Sequence, residues 1–393
     1  MSRPFTRPTA PRRRLAAAVV IAALFTVVGC AGSTGGSPTP DASSSASSGD
    51  LPESVQERLQ SALDETMAQF DVPGAAVGVW IPGEGEWKAA AGLSDIEQGE
   101  PVDIDMSWPL RSITKTFTVT LLLQLVDEGE VALDDTIGQY VDGVTDGDEI
   151  TLRELGEMSS GNADYTNEGF LAAFGEDPDR LFTLEELNGF VLGKPAQFSP
   201  GALKVYTNAN TNLIGAVIEE VTGQDFADAL EERILVPLNL QHTRYILDVE
   251  TWTEPHAVGY APDDGTLTPQ PTNLSIFGPA GSMVSTLDDA RIWGEALATG
   301  SLLQSSTQAE RLIGAPLDAG PPYDEYALGI GETDGWWGHN GEGLGFTAAL
   351  FHDLDSGATI AVFMNESSLA DQTHPADQLF RRIVPILASV TSG

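Results

Sequence analysis

Three short strings hold side chains suited to nucleophilic chemistry: Ser112-Ile113-Thr114-Lys115, Tyr206-Thr207-Asn208 and His339-Asn340-Gly341. Together they offer a nucleophile, two groups able to move its proton, an amide to hold a substrate and a strand edge to dock it. The chain has four lysines (Lys88, Lys115, Lys194 and Lys204), and Lys115 alone has a serine three residues before it. Ser112 stands where the extended run Met106 to Leu110 gives way to the apolar stretch Phe117 to Val126, so it is expected to open a helix. Backbone N–H groups at a helix start are unpaired and the helix dipole favours negative charge there, so nucleophile and oxyanion donor can share one residue. Lys115 then lies one turn further on the same face, within reach of the Ser112 hydroxyl. Buried among Leu and Phe, its ammonium would be disfavoured, the condition for a lysine to accept a proton. The bland alternative is an N-capping serine beside a surface lysine.

In this order the three strings resemble the S-x-x-K, Y-x-N and H-x-G motifs of the penicillin-recognising serine hydrolases, the serine D-Ala-D-Ala carboxypeptidase and class C β-lactamase family. Three further segments read like that family's connecting segments: ITLRELGEMSSGNADY (Ile150 to Tyr165), FSPGALKVYTNANTNLIGAVIEEVTG (Phe198 to Gly223) and GPAGSMVSTLDDA (Gly278 to Ala290). The resemblance runs from about Leu51 to the C-terminus. It implies Ser112 as the acylated nucleophile and Lys115 as its activating neighbour. Tyr206 would relay the proton to the leaving group, as the phenolate or through Lys115, and Asn208 would bind the substrate's acyl side chain. His339 stands where β-lactamases usually carry Lys and carboxypeptidases often carry His. Gly341 would let a substrate backbone approach the strand edge, and the second oxyanion N–H would come from Glu342. Asn340 and Glu342 occupy the places where enzymes acting on D-Ala termini hold small hydroxyl residues that bind the terminal carboxylate. Read without the resemblance, Tyr206 is a core tyrosine, Asn208 a turn residue and His339 a strand-end histidine.

Cysteine usage and charge bound the setting. The first 29 residues hold Arg3, Arg7, Arg12, Arg13 and Arg14, no acid, and the apolar stretch Leu15 to Val28, a signal-peptide layout. The run ends Val27-Val28-Gly29-Cys30 and is similar to a bacterial lipobox, so Cys30, the one cysteine, is expected to carry a lipid that holds the protein on the outer side of the cell membrane. A single thiol excludes an intrachain disulfide. Ala31 to Gly49, rich in Ser, Gly, Pro and Thr, reads as a flexible tether. The leader takes five of 19 basic residues, which leaves 14 against 58 acidic ones, a formal charge of −44. That charge argues against nucleic-acid binding and against direct contact with anionic lipid.

The expected organisation is therefore a leader over 1–29, a lipidated cysteine and linker over 30–50, and a hydrolase domain over 51–393. Val55, Leu59, Leu63, Met67 and Phe70 recur at helical spacing. Gly74 to Ile81 and Glu86 to Gly92 read as a hairpin around Pro82-Gly83-Glu84-Gly85. Asp127 to about Leu274 reads as a mainly helical insertion. Strands are expected over Tyr326 to Glu332, Trp336 to Gly341, Gly345 to His352 and Ala358 to Asn365, and a last helix from Pro375. The fold class is α+β: an antiparallel sheet flanked by N- and C-terminal helices, with the helical subdomain inserted. Five scattered histidines and no His-Glu-x-x-His imply no metal, and nothing implies a cofactor. His352 and Asp353 read as surface residues at a hairpin end, and Trp336-Trp337 as core. By resemblance the protein is a cell-envelope serine hydrolase with D-Ala-D-Ala carboxypeptidase action on peptidoglycan peptides. An esterase or amidase, a β-lactamase and a catalytically silent binding protein stand behind that reading.

Overall fold

The structure, a computed structural model, describes residues 49–367 and 374–391. The leader and Cys30 lie outside the described residues. In chain order, α1 (Glu53–Gln69) leads into β1 (Gly74–Ile81), β2 (Gly85–Asp95), β3 (Glu100–Pro101) and β4 (Trp108–Pro109). A 3-10 turn, Arg111–Ile113, opens α2 (Thr114–Glu128). Then come α3 (Leu152–Gly156), α4 (Glu168–Glu176), α5 (Leu184–Gly189), α6 (Asn208–Thr222) and α7 (Phe226–Leu230). Four short strands, β5 (Arg244–Tyr245), β6 (Tyr260–Asp263), β7 (Thr266–Pro269) and β8 (Met283–Ser285), precede α8 (Leu287–Thr299) and α9 (Ser305–Arg311). The chain returns as β9 (Glu325–Tyr326), β10 (Gly331–Thr333), β11 (Trp336–Gly343), β12 (Phe346–Asp353) and β13 (Thr359–Met364), and α10 (Pro375–Thr391) follows.

Eight strands form one antiparallel sheet in the order β3-β2-β1-β13-β12-β11-β10-β9, so the first and last long strands lie side by side. Side-chain alternation gives each strand two apolar faces. From β1, Ala75, Val77 and Val79 join α1 and α10 in one core, while Ala76 and Trp80 join α2 and α8 in another. The apolar stripe of α1 is buried at Val55, Leu59 and Leu63, as its spacing predicts. A separate three-stranded sheet, β4-β8-β5, holds the stretch that runs up to Ser112. The α+β architecture is the one expected.

Two expectations need correction. Tyr326 to Glu332 is not one strand: Gly329 takes φ +64° and Ala327 N–H donates to Ile330 O at 2.8 Å, a turn that separates β9 from β10. The stretch from Asp127 to Leu274 is mainly helical, as expected, and also carries the short strand β5 and the hairpin β6-β7. His352 is buried at 3% exposure, its Nδ1 2.9 Å from Thr359 Oγ1, because it shares the sheet face of Phe346 and Leu350, which α8 covers. Trp336 is core, packed edge-on to Phe380, and Trp337 is partly buried.

The seam between sheet and terminal helices centres on Phe351 of β12 and Phe380 of α10, stacked with centroids 4.2 Å apart and both fully buried. Phe380→Ala should lower the unfolding free energy by about 3–5 kcal/mol, the cost of an aromatic-sized core cavity. Urea titration checks this, and a loss below about 1 kcal/mol would show that the seam does not rest on this pair.

Candidate active site

Ser112 sits on a sharp joint between two layers. β4 pairs with β8, Leu110 N–H donates to Met283 O at 2.8 Å, and Met283 N–H donates to Thr114 Oγ1 at 3.2 Å, which fixes both ends of the turn. Between them Arg111 takes φ +50°, a conformation costly for a side chain with a Cβ. The kink leaves Ser112 half-buried and reachable while both its neighbours are buried. As the sequence predicts, Ser112 lies at the helix start, although the opening turn is 3-10 in form.

Lys115 is fully buried, and its Nζ lies 2.9 Å from Ser112 Oγ, 2.7 Å from Asn208 Oδ1 and 2.9 Å from Ala280 O. Burial pulls its pKa down to about 7, an effect partly opposed by the negative charge of Asp164. A neutral amine has two N–H donors and one lone pair. With its two donors on Asn208 and Ala280, the neutral amine would have its lone pair left for the Ser112 hydroxyl, the arrangement needed to take its proton. Asn208 starts α6, where Asp164 accepts from the Asn208 N–H at 2.7 Å and from Thr207 Oγ1 at 2.8 Å. Asp164 stands inside the Ile150 to Tyr165 segment, but its role as clamp is visible only in the folded chain.

Tyr206 lies against Lys115, whose Nζ is 5.0 Å from the ring centroid. Among the described residues its buried hydroxyl makes no close hydrogen bond, and burial raises its pKa well above 10, with the Ser112 hydroxyl beside it the one group that opposes the rise. Tyr206 is thus a neutral phenol, which favours a relay through Lys115 over a standing phenolate. His339 is also neutral, its pKa pulled down to about 3 by burial and by the neighbouring Lys115. Both its ring nitrogens are engaged elsewhere: Nδ1 lies 3.0 Å from Tyr323 Oη and Nε2 3.3 Å from Tyr326 Oη. It meets the site through its ring, 6.0 Å from that of Tyr206, rather than through a proton contact. Neither tyrosine carries a spacing signal that could have announced it.

Strand β11 supplies the edge. Its pairing with β10 ends at Gly338, and Asn340 N–H, pointing away from β12, donates to Tyr323 Oη at 2.9 Å. Glu342, two residues on, has its N–H on the same edge by alternation, beyond the reach of β10. Gly341 is needed for a different reason from the one expected. A Cβ there would stand 2.3 Å from Leu110 O and 3.0 Å from Ser112 N, so the glycine admits the serine turn itself and brings the N–H groups of 112 and 342 together. Asn340 is also corrected as a free substrate amide: its Oδ1 accepts from Tyr323 Oη at 2.7 Å and its Nδ2 donates to Asp377 at 3.4 Å. The Glu342 side chain turns to the face opposite Ser112, where burial raises its pKa to about 7.

Arg111 was not singled out by the sequence. It is 1% exposed, none of its guanidinium nitrogens has a hydrogen-bond partner among the described residues, and the group lies 4.7 Å from the Phe277 centroid and 5.3 Å from that of Phe346. Cation–π contact and the aliphatic stem offset part of the desolvation cost. Burial lowers its pKa to about 9, which leaves it charged at neutral pH. Among the described residues no group of three or more His, Cys, Asp or Glu is placed to hold a metal ion.

Gly341→Ala should push the Leu110–Ser112 turn off its seat and slow labelling of Ser112 by a fluorophosphonate about 100-fold, the scale set by a displacement near 1 Å. Labelling at the wild-type rate in a folded variant would mean that the close approach at Gly341 is not what seats the nucleophile.

Comparison with known proteins agrees with this geometry. The sequence profile of the beta-lactamase family matches residues 59–381. A D-aminopeptidase of Brucella anthropi is 30% identical over 308 residues, covering 76% of this chain and 57% of that protein, so the chain spans little more than half the length of such relatives. The crystal structure of a D-stereospecific amidohydrolase from Streptomyces sp. is similar at TM-score 0.72 and 29% identity, over 83% of this chain and 97% of that one. A D-amino acid amidase from Ochrobactrum anthropi SV3 complexed with D-phenylalanine shares the fold at TM-score 0.77 and 23% identity, over 86% of this chain and 100% of that one. With a profile that spans all three motifs, and a serine hydroxyl, a buried amine and a strand edge brought together at Ser112, the chain belongs to the beta-lactamase family of serine hydrolases.

Proposed function

We propose that this protein hydrolyses amide bonds to D-amino acids, in D-aminoacyl amides or short peptides, through an acyl-enzyme on Ser112. The observation that carries the reading is the buried Lys115 amine, its Nζ 2.9 Å from Ser112 Oγ and within hydrogen-bond distance of Asn208 Oδ1 and Ala280 O. Ser112 Oγ gives its proton to Lys115 and attacks the carbonyl. The N–H groups of Ser112 and Glu342 receive the oxyanion. The proton then passes by way of Tyr206 to the departing amine, the C–N bond breaks, and water releases the acid by the same path in reverse. Asn208 has its Oδ1 occupied by Lys115, so its amide N–H₂ is the donor for the acyl group. Names of relatives and structural neighbours, a D-aminopeptidase and a D-stereospecific amidohydrolase, support the D-amide class.

This displaces D-Ala-D-Ala carboxypeptidase action on peptidoglycan to second place. Asn340 and Glu342 hold the positions expected to bind a terminal carboxylate. Asn340 is tied to Tyr323 and Asp377, and Glu342 adds a carboxylate of its own. At an effective dielectric of 20, two like charges 4 Å apart repel by about 4 kcal/mol.

D-Phenylalaninamide should be cleaved in preference to its L-isomer by about tenfold or more, the scale on which a misfitted side chain is rejected. Ser112→Ala should abolish turnover, and Lys115→Met should slow it about 10²- to 10⁴-fold. Neutral Lys115 becomes the major form as pH rises past about 7, so the acylation rate should climb with pH and reach half its plateau there. A flat profile from pH 5 to 9, or equal rates on both isomers, would refute the reading.

We further propose that the protein is exported and held at the membrane through Cys30, a reading supported by the basic leader, the apolar run and the Val27-Val28-Gly29-Cys30 sequence. Mass spectrometry of mature protein from a lipoprotein-processing bacterium should find residue 30 at the N-terminus with a thioether-linked lipid. An unmodified thiol there excludes the anchor.

A further inference from the structure

On the face of β11 turned away from Ser112 lies a cavity of about 550 Å³, lined by Gly320, Pro322, Asn340, Glu342, His374 and Asp377 among others. It adjoins the proton path. A Cβ at residue 320 would stand 2.6 Å from Tyr206 Cβ, and Tyr206 N–H donates to Ala319 O at 2.9 Å, so the segment that walls the cavity also backs Tyr206. The cavity thus borders both Tyr206 and the stretch of β11 that carries Asn340 and Glu342.

The charges in the cavity are uneven. Asp377 is paired, its Oδ2 2.7 Å from Arg381 Nε, and Arg381 donates in turn to Pro322 O at 2.7 Å. Glu342 has no such partner. One of its carboxylate oxygens is shielded from solvent without a hydrogen bond, and among the described residues no Lys or Arg stands within ion-pair distance of it. His374 Nδ1 accepts from Asp377 N–H at 3.3 Å, so the neutral ring carries its proton on Nε2 and offers a donor there. The shielded Glu342 oxygen is therefore the unsatisfied acceptor that lines this cavity. Such an oxygen is satisfied by a ligand that brings N–H donors and positive charge.

We propose that Glu342 is a specificity-determining residue and that the cavity takes the leaving-group side of the substrate, with selection for a positively charged amine. The chemical class is an amide whose departing amine carries a further ammonium, such as a diamine or a basic residue. A terminal carboxylate in the same place is rejected. The proposal rests on Ser112 as nucleophile and extends the amide-hydrolase reading to the other side of the scissile bond.

Two measurements on the whole chain at pH 8.5 test it separately from the D-amide reading. In the first, D-phenylalanyl amides of ethylenediamine, propylamine and glycine present a cationic, a neutral and an anionic leaving group. The kcat/KM ratio of cationic to neutral should be about tenfold, with the anionic amide slowest, and Glu342→Gln should bring that ratio close to one. In the second, propylammonium, propanol and propionate compete with fluorophosphonate labelling of Ser112. Only the cation should protect, and its protection should be lost in Glu342→Gln. If no D-amide is cleaved yet the cation protects, the D-amide reading falls and the cationic subsite stands. If protection in wild type shows no preference for positive charge, or if Glu342→Gln retains the preference, the proposal falls whichever amides are cleaved. The wild-type ratios need no variant, so a poorly folded Glu342→Gln would not shelter it.

Discussion

A lysine amine sealed inside the protein without a carboxylate in hydrogen-bond contact is the constraint on which the remainder of this site depends. Water would hold Lys115 as an ammonium, and burial removes that water. Its three polar neighbours come from distant stretches of chain: Ser112 one turn away on the same helix, Asn208 at the start of α6, and Ala280 from the turn before β8. No one of these segments could hold the amine dry. The aromatic ring of Tyr206 and the apolar face of α2 close the remaining sides. The nearest acid to bear on it, Asp164, spends its oxygens on the N-terminus of α6 and on Thr166, so it steadies Asn208 while acting on the amine only through its field. The proton affinity of Lys115 is thus a property of the assembled domain, set by how α2, α6 and the β8 approach pack together.

The same assembly explains why the serine turn tolerates strain. Arg111 holds a left-handed backbone and places its guanidinium in an aromatic slot with no hydrogen-bond acceptor. Neither feature favours stability. Both are held by contacts on either side, from β8 through Leu110 and Thr114 and from β11 through Gly341. An over-determined turn of this kind keeps the nucleophile from relaxing into ordinary helix geometry, where its hydroxyl would sink toward the helix flank.

How much of this could be read from the chain follows distance along it. The Ser112 and Lys115 pair is local, one helical turn, and its geometry follows from spacing alone. The long strands, the first helix and the Pro375 start of α10 are likewise periodic or capped, and stand close to where periodicity puts them. Asn208 and His339 entered through motifs, so their identities were legible and their contacts were not. His339 has the tyrosines at 323 and 326 around it because a turn at Gly329 folds β9 and β10 back beside β11, an event with no periodic signature. His352 looked like a hairpin tip until α8 covered it. Gly341 was singled out for substrate approach, whereas its vacant Cβ position is filled by the Leu110 carbonyl, 231 positions earlier in the numbering. What escapes sequence reading here is mainly which distant surface lies against a given side chain.

Alternation along β11 divides one strand between two tasks. Residues 339 and 341 face the Ser112 side, and both are confined: one is enclosed by three aromatic rings, the other has no room for a methyl group. Residues 340 and 342 point the other way, and the proposed chemistry draws only on the backbone of 342. A substitution at 342 therefore alters what the enzyme meets on the far side of the strand while every N–H and C=O stays in register. New substrate preferences are open to such a strand through single-residue steps, without an intermediate in which the catalytic apparatus is lost. The two-residue repeat of a β-strand thus becomes a route by which a lineage can diversify.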